Sequence, residues 1–295
     1  MLKRTLSFSN PYHLSLRNRQ MVIQSKEYPE RNRSVPIEDI GFVILEHPQT
    51  IITLPLLNAL SDNNVAVVFC GDNHMPNALL MNLDSNRTQG ECYRAQIAAS
   101  EPLKKNLWKQ IVEMKIRNQS RLLNKLGKDG DLLKPYYMNV KSGDADNREG
   151  VAAKVYWNTL FGLSFMRSRE GGSPNDLLNY GYILLRAAVA RALMGSGLFP
   201  AFGIFHRNRY NAFPLADDVM EPYRPYVDEC VYGLYRNGVR GLTKEAKTEL
   251  LRILFADTVF GKVMRPLEVG LSLTTASLEK CFLGTEKKLV YPLFE

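Results

Sequence analysis

Along the first third of the chain, apolar positions come in short runs punctuated by turn residues; over most of the remainder they recur every third or fourth position. Residues 5–9, 13–17 and 21–24 read as strands, separated by the turn signals Asn10-Pro11 and Asn18-Arg19, and 34–37 and 41–45 continue the pattern. Residues 53–63 switch to helical spacing through Leu54, Leu57 and Leu60, with Thr53 placed as an N-cap and Pro55 in the first turn. The unbroken run 65–70 predicts a buried strand closed by Gly71-Asp72-Asn73, and 78–83 predicts another.

The pattern changes at the polar stretch Asp84-Ser85-Asn86-Arg87. Residues 103–126 carry Leu107, Ile111, Met114 and Leu122 at helical spacing and end at Gly127-Lys128-Asp129-Gly130. That tetrapeptide is no phosphate loop, because its lysine is followed by Asp129 rather than by Ser or Thr. Further helices are predicted over 149–166, 177–194, 223–237, 243–255 (Thr243 as N-cap) and 270–281, with a Gly/Ser/Pro loop at 171–174. Strands first and helices after predict an α+β fold, an N-terminal β-rich domain followed by a larger all-α domain. The expected division is 1–84 (β-rich), 85–100 (hinge or linker) and 101–295 (helical, carrying the chemistry).

Composition narrows the partners. With 45% hydrophobic and 23% charged residues the chain is an ordinary globular one, and its net charge of +8 favours polyanions over acidic partners. Cys70, Cys92, Cys230 and Cys281 form no CxxC pair, which argues against a zinc ribbon or a disulfide framework and for a reducing cytoplasm, with Cys70 expected in the core. The longest apolar stretch, 40–57, is broken by Glu46, His47, Pro48 and Pro55, so no membrane span is expected; no secretory signal follows the N-terminal Met1-Leu2-Lys3-Arg4.

Three residues distant in sequence carry candidate metal chemistry: Glu149, His206 and Glu221. Glu149 opens a predicted helix whose one face is Glu149, Ala152, Ala153 and Tyr156; the small alanines beside the carboxylate let another segment approach. His206 lies between Phe205 and the arginines Arg207 and Arg209, neighbours that keep an imidazole neutral, its ligand form. Glu221 ends Asp217-Asp218-Val219-Met220-Glu221; these carboxylates repel unless a cation or an arginine such as Arg224 compensates. Two hard carboxylates and one imidazole suit Mg²⁺ or Mn²⁺ acting on phosphate, and zinc less well. Each residue also has a plainer reading: a first-turn surface glutamate, a satisfied loop histidine, and an acidic cluster at a helix start.

The string Asn147-Arg148-Glu149-Gly150-x-Ala152-Ala153-x-x-Tyr156-x-Asn158-x-Leu160-Phe161-Gly162 resembles the CRISPR-associated adaptation integrases, the enzymes of spacer acquisition. So does His206 followed by Leu215-Ala216-Asp217-Asp218-x-Met220-Glu221-x-Tyr223-Arg224-Pro225, and the similarity is nearest to the type II branch. The resemblance spans nearly the whole chain. It implies an N-terminal dimerisation domain, a homodimer, and two dimers clamping a small second adaptation protein. It places the metal on Glu149, His206 and Glu221, with Asp217 or Asp218 able to share it, because relatives often carry Asp at the third position. The implied reaction is transesterification, in which the 3′-hydroxyl of a captured double-stranded DNA fragment attacks a phosphodiester at the edge of a repeat. Arg148, Lys154, Arg207, Arg209 and Arg224 are the candidate DNA-contacting cations. Tyr12 or His13 is the candidate ring that stacks on the duplex end. Competing readings are a non-catalytic basic DNA-binding scaffold and, further off, a carboxylate-pair hydrolase needing no cation.

Overall fold

The computed structural model describes residues 3–25, 28–82 and 84–295 and divides into two compact units, Met1–Arg87 and Thr88–Glu295. The expected strand 78–83 reaches Leu83, which lies outside the described residues. The first unit contains β1 (Arg4–Phe8), β2 (Tyr12–Arg17), β3 (Gln20–Ser25), β4 (Arg33–Pro36), β5 (Ile40–Leu45), β6 (Ile51–Ile52), α1 (Leu54–Asp62), β7 (Ala66–Cys70) and β8 (Pro76–Leu80). One sheet runs β1-β5-β7-β8, with β1, β5 and β7 parallel and β8 antiparallel at the edge; the other runs β4-β3-β2-β6. All six residues of β5, Ile-Gly-Phe-Val-Ile-Leu, are buried, as a continuous apolar run in a parallel sheet requires. Leu14, Met21, Ile40, Val43 and Val67 meet Leu56 and Leu60 of α1 in one core that joins both sheets.

The phase of α1 differs from the predicted one. Its buried pair is Leu56 and Leu60, one turn apart, whereas Leu54 is 68% exposed. Thr53 stands at the N-cap but its side chain accepts no capping hydrogen bond; its carbonyl accepts from the amides of Leu56 and Leu57. Cys70 is half-buried rather than in the core, and all four cysteines are free thiols.

The second unit contains α2 (Gln89–Ala98), α3 (Glu101–Lys125), α4 (Lys134–Tyr137), α5 (Arg148–Phe161), α6 (Asn175–Gly195), α7 (Pro214–Met220), α8 (Arg224–Arg236), α9 (Lys244–Arg252), β9 (Asp257–Phe260), β10 (Val263–Pro266) and α10 (Leu267–Phe282). The stretch expected to be a hinge, 85–100, holds α2, whose Cys92 and Gln96 are buried; Gln96 exchanges hydrogen bonds with the backbone of Phe199 (2.9 and 3.2 Å). The unit is mostly, not wholly, helical, since β9 and β10 pair antiparallel around Gly261, at φ 63°. The predicted helix 149–166 stops at Phe161 because Gly162 turns to φ 101°, outside the helical range. Among the described residues no helix is long and apolar enough to cross a membrane.

Helix α3 is the spine of this unit, packing against α4, α5, α7 and α8. Its buried face is not purely apolar: Lys115, Asn118 and Gln119 lie among Leu107, Ile111, Ile116 and Leu122. Asn118 satisfies all its polar atoms locally. Its amide donates to the carbonyls of Pro222 (2.8 Å) and Pro292 (3.1 Å), and its oxygen accepts from the amide of Phe294 (3.1 Å). The turn carrying Glu221 and the C-terminal segment are thereby tied to one point on α3.

Candidate functional site

The start of α5 is built to hold Glu149. Asn147 sits in the left-handed region (φ 50°, ψ 47°) and its side chain accepts from the amide of Gly150 (3.2 Å). Asp144 accepts from the amides of Arg148 (2.8 Å) and Glu149 (3.0 Å). The first-turn donors are thus satisfied by side chains from before the helix, leaving the Glu149 carboxylate free to project. Gly150 completes the motif sterically, since a Cβ there would stand 2.7 Å from the Asn147 amide oxygen. Ala152 and Tyr156 are buried on the same face, and the Tyr156 hydroxyl donates to Asp228 (2.7 Å).

His206 lies in the loop between α6 and α7 and is held by Asp218, which is fully buried. One Asp218 oxygen accepts from the amides of Ile204 (2.6 Å) and Phe205 (3.0 Å); the other accepts from the amide of His206 (3.2 Å) and lies 2.6 Å from its Nδ1. Gly203 lets the loop turn this tightly, because a Cβ would come 2.7 Å from the His206 carbonyl oxygen. The imidazole rests edge-on against Trp108, which stacks flat on Phe205 with centroids 4.2 Å apart. The hydrogen bond to Asp218 raises the His206 pKa above the usual imidazole value, outweighing burial. Asp218, rather than the neighbouring arginines, dominates the ring's surroundings: Arg207 turns to grip both carboxylate oxygens of Glu101 (2.9 and 2.8 Å).

Glu221 sits in the one-turn 3-10 segment between α7 and α8 and is 3% exposed. Arg224 lies 2.9 Å from its Oε1, the compensation expected one turn on. The Lys115 ammonium lies 2.5 Å from its Oε2 and 2.6 Å from Glu149 Oε1, so the two carboxylates converge on one cation. Burial pushes Glu221 up, but the Arg224 and Lys115 charges more than offset this and hold its carboxyl down at about 2. Burial lowers Lys115, and the two glutamates reverse that, so its pKa is raised. Glu221 Oε2 is buried against the Lys115 ammonium, whose hydrogen bond helps hold the Glu221 pKa down.

The other candidates are placed less uniformly. Asp218 spends its oxygens on the 204–206 loop, and Asp217 faces Arg186 Nε (3.0 Å) and the Asn211 amide (2.7 Å), so neither projects toward Lys115. Arg224 is committed to Glu221 and lies 4.4 Å from the centre of the Tyr182 ring. Arg148 lies 3.7 Å from Asp146, Lys154 is exposed on α5, and Arg209 stacks over Tyr210 (4.6 Å) at the surface. Tyr12 and His13 belong to β2 of the first unit, half-buried, with Tyr12 edge-on to Phe8 and His13 at 3.1 Å from Gln24. Lys115 was missed in the sequence, although a lysine spaced four residues after Ile111 and three before Asn118 interrupts an apolar stripe.

For a divalent ion, the donor set fits. Two carboxylates already share one cation, and Asp218 occupies His206 Nδ1, leaving Nε2 as the ring's other donor. Among the described residues no three His, Cys, Asp or Glu side chains close on a single point; the Lys115 ammonium bridges the two carboxylates.

Known proteins match this fold over its full length. The family model of the CRISPR associated protein Cas1 matches residues 7–267, and the chain belongs to the Cas1 family. It is 40% identical over 258 residues to the CRISPR-associated endonuclease Cas1 of Neisseria meningitidis serogroup C (strain 8013), covering 86% of this chain and 84% of that one. A casposase bound to integration product superposes with a TM-score of 0.81 at 20% identity, over 100% of this chain and 94% of the other. A chain of a Cas6-RT-Cas1–Cas2 complex superposes with a TM-score of 0.73 at 18% identity, over 98% of this chain and 36% of that one.

Proposed function

We propose that this chain is a divalent-metal-dependent DNA integrase of CRISPR adaptation, joining the 3′-hydroxyl of a captured duplex fragment to a phosphodiester at the edge of a repeat. The observation that carries the reading is the convergence of Glu149 and Glu221, from two separate helical segments, on one cation position, with both charges felt by an imidazole that a buried aspartate braces. Glu149, Glu221 and His206 would hold Mg²⁺ or Mn²⁺, which when bound supplies Lewis-acid polarisation of a phosphoryl oxygen and stabilises the leaving oxyanion. Asp218 fixes the ring orientation of His206, and Arg224 neutralises part of the Glu221 charge. The exposed Lys154 and Arg209 and the half-buried Arg148 would meet phosphates of double-stranded DNA; Arg207 would first have to release Glu101. The structural neighbours, a casposase bound to its integration product and a complex containing Cas2, support DNA and a small second adaptation protein as partners. A homodimer formed through residues 1–84, with two dimers bridged by that protein, completes the proposal.

A non-catalytic DNA-binding scaffold is the competing reading. What favours it is the pairing of both glutamates with Lys115 and of Glu221 with Arg224, two acids against two cations, which is self-sufficient as an ion-pair network. The two are separated by strand joining of a short duplex into a repeat-bearing plasmid. The integrase reading expects product with Mg²⁺ or Mn²⁺, none in EDTA, and recovery when Mn²⁺ is restored. Undiminished product under EDTA would remove the metal from the account.

A further inference from the structure

Lys115 occupies an unusual place. It sits on the buried face of α3, between Ile111 and Asn118, with only 11% of its side chain exposed. A lysine in such a position is costly unless its charge is met, and here Glu149 Oε1 and Glu221 Oε2 meet it at 2.6 and 2.5 Å. Arg224 is already on the other oxygen of Glu221. The two glutamates are therefore matched by two cations in the metal-free protein. A divalent ion added to this intact arrangement would leave excess positive charge in a buried site, which like-charge repulsion opposes.

We propose that Lys115 is a built-in counter-cation: its ammonium keeps Glu149 and Glu221 converged while the site is empty, and a divalent ion binds by taking the two carboxylates over from it. Lys115 is thus a positioning residue that sets how tightly the metal binds. The inference rests on the reading of the site as a divalent-metal centre. A lysine that only staples α3 to α5 and to the Glu221 turn would support the fold but leave metal affinity where it is.

The test is Mn²⁺ titration of the full-length chain, followed by the electron paramagnetic resonance of free Mn²⁺. Wild type is compared with Lys115→Met, which keeps the apolar stem, Lys115→Gln, which keeps a polar head, and Glu149→Ala. Both lysine variants are expected to bind Mn²⁺ at least tenfold more tightly than wild type. Their metal-free melting temperatures should fall, and Mn²⁺ should raise them by more than it raises the wild-type value. Unchanged or weaker Mn²⁺ binding in the folded lysine variants, with or without a fall in melting temperature, overturns the proposal. Failure of the underlying metal reading looks different: wild-type Mn²⁺ binding would then be insensitive to Glu149→Ala. Binding that appears only once Lys115 is replaced overturns the proposal, since the ion would then not take the carboxylates over from Lys115 in the wild-type chain.

Discussion

Glu149→Ala is expected to lower strand joining by at least ~1,000-fold, equivalent to about 4 kcal/mol of transition-state stabilisation. The size follows from what the carboxylate does. It supplies one of the two hard anionic oxygens that converge on the shared cation position, and no other acid among the described residues reaches Lys115. The fold should survive, because the start of α5 is capped by Asp144 and Asn147 rather than by Glu149 itself. Lys115 keeps Glu221 as a partner in the variant. Gel filtration and circular dichroism should therefore match wild type while joined product disappears from the plasmid assay. Retention of more than about a tenth of the activity, on the same scale, would show that Glu149 is not part of the chemistry.

The second large effect is on stability. Asp218→Ala removes a fully buried carboxylate that accepts from three consecutive backbone amides and contacts the imidazole of His206. Alanine leaves those donors without a partner in a site too enclosed to hydrate them all, and a loss of about 3–5 kcal/mol is expected in urea unfolding. A loss below about 1 kcal/mol would mean that the 204–206 loop finds other acceptors. The milder Asp218→Asn tests the electrostatic part. Asp218 raises the His206 pKa, so the variant should bring the imidazole titration down toward its ordinary value, which NMR of the ring protons would follow. The sign for stability follows from the raised value. In wild type this contribution is fully present below the unfolded-state pKa of the imidazole and is lost as pH rises through the higher folded value. The asparagine variant should lack most of that dependence.

The large features of this fold are legible in the residues, and the failures have identifiable causes. Residues 41–45 and 65–70 read correctly as strands because an apolar run flanked by turn residues has few alternatives, and they pair as β5 and β7. Helix α2 was lost to a polar composition, since its sequence Gln-Gly-Glu-Cys-Tyr-Arg-Ala-Gln-Ile-Ala carries almost no apolar stripe and is held by tertiary hydrogen bonds from Gln96. The hairpin β9–β10 is short and exposed along Val263-Met264-Arg265, so no burial pattern marks it. The sheet-facing stripe of α1 was misphased because four leucines in seven residues satisfy more than one helical register.

At the site, Glu149, His206 and Glu221 were identified singly, and only the fold brings them into one neighbourhood. The roles of Asp218 and Lys115 were invisible for a shared reason. Asp218 is one of three acids in a row of five residues, and nothing in the row says which one turns inward. Lys115 is one of many lysines on a long helix, and its burial is decided by α5 and by the turn after α7, far away in sequence.

The most direct measurement is the anomalous difference map of a crystal of this protein equilibrated with Mn²⁺. The account expects a single strong peak within ligand reach of a Glu149 oxygen, a Glu221 oxygen and His206 Nε2, with the Lys115 ammonium moved off the carboxylates. A map with Mn²⁺ bound elsewhere, or with both glutamates still clasping Lys115 at a Mn²⁺ concentration that supports strand joining, would contradict it.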